Sequence, residues 1–307
     1  MYYYGQIGDF GGGNSSPNTP KYTVIQSLWT KPLFAVNQTE QQKERIKDTM
    51  FICALSLAYA HNSGYKVHMH TDSKGAELFK NFGYDGLFTT LDKIPNTVPT
   101  DLFAAGKFYA MKAEGITGKV HIDIDVFLKK PGIVDSFYEN KKIDVICQQE
   151  EDISGYNYSR KVAPFMHVLG YPPTTRPDWD GSMNTGVIGF NNSKLAKKYF
   201  DNYFDALKMY TKDKFEAYKK THPEASLKFD FILEQVNLSY LSIGYNAYTL
   251  VSKENPCYVA DEIGYQHLQG TTKWSDTSKV KVRTLLLNMN KDLYSVANRA
   301  ASQAIKS

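Results

Sequence analysis

The residues with most chemical potential in this chain of 307 are Asp123 and Asp125, within Val120-His-Ile-Asp-Ile-Asp-Val-Phe-Leu128. Val120, Ile122, Ile124 and Val126 alternate with His121, Asp123 and Asp125, the period of a β-strand, so both carboxylates are expected on one side of it. Their Cα atoms would stand ~6.6 Å apart, and two anions that close repel unless a cation or a proton intervenes. A divalent ion is the simplest counter-charge. Hard oxygen ligands favour Mg²⁺ or Mn²⁺, either of which also bridges to nucleotide phosphates. A half-exposed strand with polar residues toward water would carry the same letters. Position favours chemistry: the motif ends a strand in the middle of an alternating α/β chain, where ligands bind at the carboxyl ends of strands.

A second constellation lies far downstream, His267-Leu-Gln-Gly-Thr-Thr-Lys-Trp274, preceded by Tyr265. A neutral imidazole at His267 can complete a metal shell, Gly270 lets backbone approach a phosphate closely, and Lys273 can neutralise a departing diphosphate. Asp230 and Glu234 are spaced i, i+4, so both fall on one helical face with Gln235 beside it; a charged outer face has the same spacing. His68 and His70 share a strand face and, with His121, invite a zinc reading. No Cys or further His stands at metal-ligand spacing, which argues against it.

The elements that must position these residues follow from periodicity. Tyr22 to Leu28 predicts a first strand, and Glu40 to His61, with Ile46, Met50, Ala54 and Ala58 four apart, a helix closed by Asn62, Ser63 and Gly64. Strands are expected at Lys66 to Asp72, Gly86 to Thr90, Lys119 to Leu128, Ile143 to Gln148 and Met183 to Asn191. Helices are expected from Ser73 to Asn81, from Leu102 to Glu114, from Asn192 or Ser193 to His222-Pro223, and from Phe229 to Tyr240. Alternation of this kind is the signature of a largely parallel sheet with helices on its faces. Glu150 to Ser182, with Pro164, Pro172, Pro173 and Pro177, reads as a long irregular stretch, and loops this long are usually functional or disordered. Residues 1–20 have the composition of a flexible arm, with docking of a partner or closure over the site as the functional alternatives.

Composition narrows the classes. With 36 basic and 32 acidic residues the net charge is +4, too mild and too dispersed for a nucleic-acid surface. Cys53, Cys147 and Cys257 are odd in number and far apart, which points away from a disulfide framework and toward a reducing compartment. The longest apolar run, Met50 to Ala60, is too short for a membrane span, and the N-terminus has no signal-peptide pattern, so a cytoplasmic location is expected.

Asp123-Ile-Asp125 resembles the Asp-x-Asp motif of GT-A glycosyltransferases. His267-x-x-Gly270-x-x-Lys273-Trp274 is similar to the C-terminal metal-and-phosphate motif of the glycogenin and galactosyltransferase-like family, with Trp274 where that family usually has proline. Met183-Asn-Thr-Gly-Val-Ile-Gly-Phe190 resembles the family's Asn-x-Gly strand lining the sugar site. The three stand in the family's order across residues 22 to about 275. The resemblance implies an α/β, Rossmann-like GT-A fold: a mostly parallel central sheet flanked by helices, with a C-terminal metal- and diphosphate-binding segment. Residues 21–285 would form this domain and 286–307 a helical tail.

It further implies that Asp125 and His267 bind metal, that Asp123 touches metal or ribose, that Lys273 and Gly270 hold the diphosphate, and that Asn184 faces the transferred sugar. Lys107 sits where the family often has a basic residue near the donor, and Asp72 is placed to accept a hydrogen bond from base or ribose. The face of Asp230, Glu234 and Gln235 would orient the acceptor or stabilise an oxocarbenium-like transition state. The implied activity is transfer of a sugar from a nucleotide-diphosphate donor, a UDP-sugar in expectation, to a glycan, protein or small-molecule acceptor, with retention.

Two other readings compete. A haloacid-dehalogenase-like phosphatase also carries Asp-x-Asp after an apolar strand, but it places that motif early in its domain and needs a later acidic pair after a strand. Asp261-Glu262, behind Tyr258-Val259-Ala260, is the only downstream candidate. A scaffold that binds nucleotide sugar without turnover would not need the metal and lysine positions intact. A nucleotidyltransferase would show a Gly-rich loop after the first strand, where Trp29-Thr30-Lys31-Pro32 stands instead.

Overall fold

The computed structural model describes residues 22–34, 39–152, 181–209, 212–221, 230–253 and 256–305. The N-terminal arm, most of the proline-bearing stretch after Glu150, and the chain around His222-Pro223 lie outside them.

In chain order the elements are β1 Tyr22–Leu28, α1 Lys31–Phe34, α2 Glu40–Asn62, β2 Tyr65–Thr71, α3 Ser73–Phe79, β3 Gly86–Phe88, α4 Ala105–Glu114, β4 Val120–Ile122, β5 Val126–Leu128, α5 Asp135–Glu139, β6 Val145–Asp152 and β7 Gly181–Phe190. They continue with α6 Ser193–Met209, α7 Lys212–Thr221, a π-helical turn Ile232–Val236 running into α8 Asn237–Leu241, β8 Ala247–Thr249, α9 Pro256–Ile263, β9 Tyr265–His267, a 3₁₀ turn Gly270–Trp274, α10 Asp276–Met289 and α11 Lys291–Ala304.

Seven strands form the central sheet in the order β3-β2-β1-β4-β7-β6-β8. All pair in parallel except β7, which runs antiparallel to both β4 and β6. Helices cover both faces, in keeping with a Rossmann-like GT-A fold. Strand periodicity divides the core: Ile146 packs with α2 on one face, whereas Val145 and Cys147 point into the aromatic cluster of Phe108, Phe190, Tyr199 and Tyr203 on the other.

Helix α2 starts at a capping box, in which the Thr39 hydroxyl accepts from Gln42 N–H and the Gln42 carbonyl accepts from Thr39 N–H. Its first turns are charged and half-exposed, whereas the stretch from Thr49 to Ala58 is buried on every side because it lies between the sheet and the two C-terminal helices. On α11 the small residues Ala297, Ala300, Ala301 and Ala304 are buried against this layer. The one buried charge of α2 within it, Asp48, is held by Arg283 at 2.7 Å and Lys279 at 3.6 Å from α10. No described helix is long and apolar enough to cross a membrane.

Several expected elements take a different form. The strand expected over Lys119 to Leu128 is two strands, β4 and β5, separated by a turn at Asp123–Asp125 that is closed by Val126 N–H to the Asp123 carbonyl at 3.0 Å. The period-two placement of both carboxylates on one strand face therefore does not hold; the turn orients them instead. β5 leaves the main sheet to pair with β9, a strand whose three residues are too few to show a period. The helix expected from Leu102 begins at Ala105, and the helix after Asn192 is divided into α6 and α7. Asn192 caps α6, its side-chain oxygen accepting from Lys194 and Leu195 N–H. Tyr258-Val259-Ala260 belongs to a helix, α9, so Asp261-Glu262 does not follow a strand.

Candidate functional site

The polar centre lies at one end of the sheet, at the carboxyl ends of β4 and β6 and the start of β7. β4 delivers the turn Asp123–Asp125, anchored by Asp123 N–H to the Gly186 carbonyl of β7 at 2.8 Å. The β5–β9 ribbon pairs Val126 with His267, and Leu268 N–H donates to the Asp125 carbonyl at 3.0 Å. A backbone ladder thus brings the two distant sequence motifs together. Side-chain oxygens of Asp123 and Asp125 and a ring nitrogen of His267 all lie within 4.8 Å of one another, the one such group among the described residues.

Two lysines serve the two carboxylates separately. Lys273, from the 3₁₀ turn, places Nζ 2.7 Å from Asp125 Oδ2, while His267 Nε2 is 3.3 Å from Asp125 Oδ1. Burial would raise the Asp125 pKa, but Lys273 and His267 together outweigh it and hold the carboxyl below its ordinary range. Gly270, which opens the 3₁₀ turn, has φ +57° with open space where a Cβ would stand.

Lys107 is buried, not a solvated helix charge. Its Nζ lies 2.9 Å from Asp123 Oδ1 and donates to the Thr185 carbonyl at 2.8 Å and to Glu234 Oε1. Glu234 Oε1 also accepts from the Thr185 hydroxyl at 2.6 Å. Burial works against charge on Lys107, yet the Asp123 and Glu234 carboxylates overcome it and raise its pKa. Asp123 itself is raised, chiefly by burial, against the pull of Lys107.

Of the two readings of the Asp230 and Glu234 face, a charged outer face does not hold, because both side chains are inside. Asp230 is 1% exposed and Glu234 6%. Asp230 accepts from Ala104 N–H at 2.7 Å and from the Tyr203 hydroxyl at 3.1 Å, and burial followed by the nearby Glu234 charge pushes its pKa up to about 8. Glu234 lies within the π-helical turn, a local widening common at functional sites. Gln235 accepts from the Ser182 hydroxyl at 3.3 Å.

Asn184 stands where β7 bulges. Its side-chain oxygen accepts from Gly186 N–H at 2.9 Å and its amide donates to Glu151 Oε1 at 2.9 Å. Asp72 corrects an expectation. Its carboxylate accepts from Thr30 N–H, the Thr30 hydroxyl, Lys31 N–H and Gly75 N–H, and caps α3. A carboxylate has about four acceptor sites, so none is left for base or ribose; this residue ties the β1 loop to α3.

His68 and His70 both contact Glu114 Oε1, at 2.6 and 3.1 Å, and His121 Nε2 lies 2.9 Å from the Ser27 hydroxyl, so each has a protein partner in place of zinc. Sequence reasoning missed Gln148 and Glu151, whose signal, a polar run at the end of an apolar strand, is indistinguishable from a strand entering a loop.

The donor set fits a divalent cation. Cis ligands of an octahedral Mg²⁺ or Mn²⁺ with bonds of about 2.1 Å lie roughly 3 Å apart and trans ligands about 4.2 Å, so side chains within 4.8 Å of one another need close in by only about half an ångström to share an ion, and carboxylate with imidazole suits Mn²⁺. Counted by residue type, the carboxylates Asp123, Asp125 and Glu234 outnumber the lysines Lys107 and Lys273 by one, an excess that a divalent ion reverses. The site would then favour an anion such as a diphosphate.

Residues 22–297 match the sequence profile of a family described as a family of unknown function, DUF6734. No curated protein matches the chain. Among solved structures, the apo form of mouse xyloside xylosyltransferase 1 is similar at 13% identity, over 75% of this chain and 85% of that one, with a TM-score of 0.36. A likeness so remote carries nothing about site or activity.

Proposed function

We propose that this chain, which belongs to the DUF6734 family of unknown function, is a metal-dependent glycosyltransferase that moves a sugar from a nucleotide-diphosphate donor to a glycan, protein or small-molecule acceptor. The observation that carries the reading is the convergence of Asp123, Asp125 and His267 within 4.8 Å at the carboxyl end of the sheet, with Lys273 beside them. UDP is the proposed nucleotide and retention the proposed outcome, both on the strength of the motif resemblance.

Asp123, Asp125 and His267 would hold Mn²⁺ or Mg²⁺, which when bound supplies positive charge to the diphosphate. Lys273 is the mobile cation of the site: its Nζ can turn from Asp125 to the leaving diphosphate once Asp125 has another counter-charge. That contact strengthens as charge builds on the leaving group, so it acts on the transition state more than on donor binding. The backbone at Gly270, free of a Cβ, lies on the same 3₁₀ turn and is proposed to approach the diphosphate with Lys273. Lys107 holds Asp123 and Glu234 in place as their shared counter-ion, and Asn184, fixed through Gly186 and Glu151, is proposed to face the sugar. Gln235, on the face of Glu234, is proposed to meet the acceptor.

The test is calorimetric titration of UDP with and without Mn²⁺, together with donor hydrolysis. Binding that depends on Mn²⁺ and cleavage of a UDP-sugar support the reading; equal UDP affinity in excess chelator sinks it. A phosphatase would instead cleave simple phosphate esters, and its required acidic pair has no support in the exposed, helical Asp261 and Glu262.

A further inference from the structure

One buried polar side chain touches the imidazole of His267 directly, and no sequence motif singles it out. Gln148 is 3% exposed and stands in β6 where the ladder to β7 slips: Cys147 faces Ile188 and Gln149 faces Asn184, so Thr185, Gly186 and Val187 lie opposite this single residue. Bulges next to active sites re-aim side chains. Gln148 Oε1 lies 2.7 Å from His267 Nδ1 and accepts from the Tyr265 hydroxyl at 2.7 Å. An amide oxygen only accepts, so Nδ1 carries the proton. Nε2 is then the ring nitrogen that faces Asp125 Oδ1, 3.3 Å away, and the one a cation bound beside that carboxylate would take.

Gly186 makes the contact sterically possible. A Cβ there would fall 2.6 Å from Gln148 Oε1 and 2.6 Å from His267 Nδ1. Real side chains do not approach that closely, so any other residue would drive the pair apart. The glycine of Asn184-Thr-Gly186 thereby has a physical reason unrelated to backbone dihedrals.

We propose that Gln148 is a positioning residue, which with Gly186 locks His267 in the Nδ1–H tautomer and holds Nε2 free to bind a divalent cation beside Asp123 and Asp125. Ligand histidines commonly need such a partner on the other ring nitrogen, and losing it costs about 10–100-fold in metal affinity. The inference rests on the proposed metal-dependent reading for its purpose, while the contact between Gln148 and Nδ1 stands independently of it.

The experiment has two readouts. Long-range ¹⁵N–¹H spectra of His267 in the metal-free protein, recorded above the pH at which imidazole titrates, report which nitrogen holds the proton. Titration with Mn²⁺ in the presence of UDP, followed by electron paramagnetic resonance of free Mn²⁺, reports affinity. Wild type should show the proton on Nδ1. Gln148→Met, which keeps length but removes the acceptor, and Gly186→Ala should shift His267 toward the Nε2–H tautomer and weaken Mn²⁺ binding about 10–100-fold. Gln148→Glu, which keeps the acceptor, should restore both, which a general packing defect would not allow. An Nε2–H tautomer in wild type, Met and Ala variants with the wild-type tautomer, or variants that bind Mn²⁺ as tightly as a Mn²⁺-binding wild type, overturns the proposal. If the tautomers behave as stated and Mn²⁺ binds none of the proteins, the positioning by Gln148 stands and the metal-dependent transferase falls.

Discussion

Replacing Asp230 by asparagine should flatten part of the protein's stability profile against pH. The Asp230 carboxyl is 1% exposed and its pKa is pushed from 3.8 to about 8, first by burial and then by the Glu234 charge. A folded-state pKa above the unfolded one contributes stability that is complete below the unfolded pKa and is lost as pH rises through the folded pKa. Between pH 5 and pH 7 the unfolded chain has released this proton and the folded chain has kept it, so the wild type should lose about 1.4 kcal/mol per pH unit from this group, roughly 2.7 kcal/mol across the interval. Asparagine has the same shape and no such proton. Its carbonyl can accept from Ala104 N–H, and its amide can donate to the Tyr203 oxygen. Urea unfolding of both proteins at pH 5, 6 and 7 and constant ionic strength measures the effect. The variant's advantage should widen with each unit by the amount stated. A stability difference that stays constant over the range would mean that Asp230 is ionised in the folded protein, and the charge balance drawn for the neighbouring Lys107, Asp123 and Glu234 would be wrong.

Lys107→Met should cost about 3–5 kcal/mol at pH 7, because two buried carboxylates lose their shared cation; the loss should shrink as pH falls, because burial raises the Asp123 pKa and that carboxyl takes up its proton early, and a pH-independent loss in urea melts would refute the ion-pair account. Lys273→Ala should lower kcat by about 10²–10³ while changing donor affinity much less; steady-state kinetics in which only the apparent donor affinity falls would leave Lys273 a binding residue and no more. Asp125→Asn should abolish the Mn²⁺ dependence of UDP binding measured by calorimetry, and retention of that dependence would remove Asp125 from the cation site. Asp72→Asn should leave UDP affinity within about twofold and lower stability by about 1–2 kcal/mol, as loss of a charged helix cap and loop clamp does; a large loss of affinity at unchanged stability would return Asp72 to the donor site.

Local chemistry made much of this protein readable from its letters. β1, α2, β2 and α4 are long enough, and apolar enough, for burial to select their conformation, and the alternation of strand and helix implied the layered sheet. The residue types at Asp123, Asp125, His267 and Lys273 raised the expectation of cation and phosphate binding, and the fold brings the first three within 4.8 Å of one another with Lys273 beside them. What the letters left undetermined depends on partners distant in sequence. The same period-two pattern that reads as one strand over Lys119 to Leu128 becomes two, since β4 pairs with β1 and β7 while β5 pairs with β9, and strand pairing is decided by those ladders and not by the local pattern. The i, i+4 pair Asp230 and Glu234 reads equally as an outer face; whether it is buried depends on Ala104, Lys107, Thr185 and Tyr203 arriving from other elements. Asp72 looked free to bind a nucleotide until the β1 loop and the first turn of α3 took its acceptor positions. Gln148 gave no local sign, because its task is defined by a bulge and a glycine in the neighbouring strand β7 and by an imidazole carried in on β9. A side chain's type is written in the sequence, but its charge state, tautomer and exposure are properties of its neighbours, and only folding chooses those.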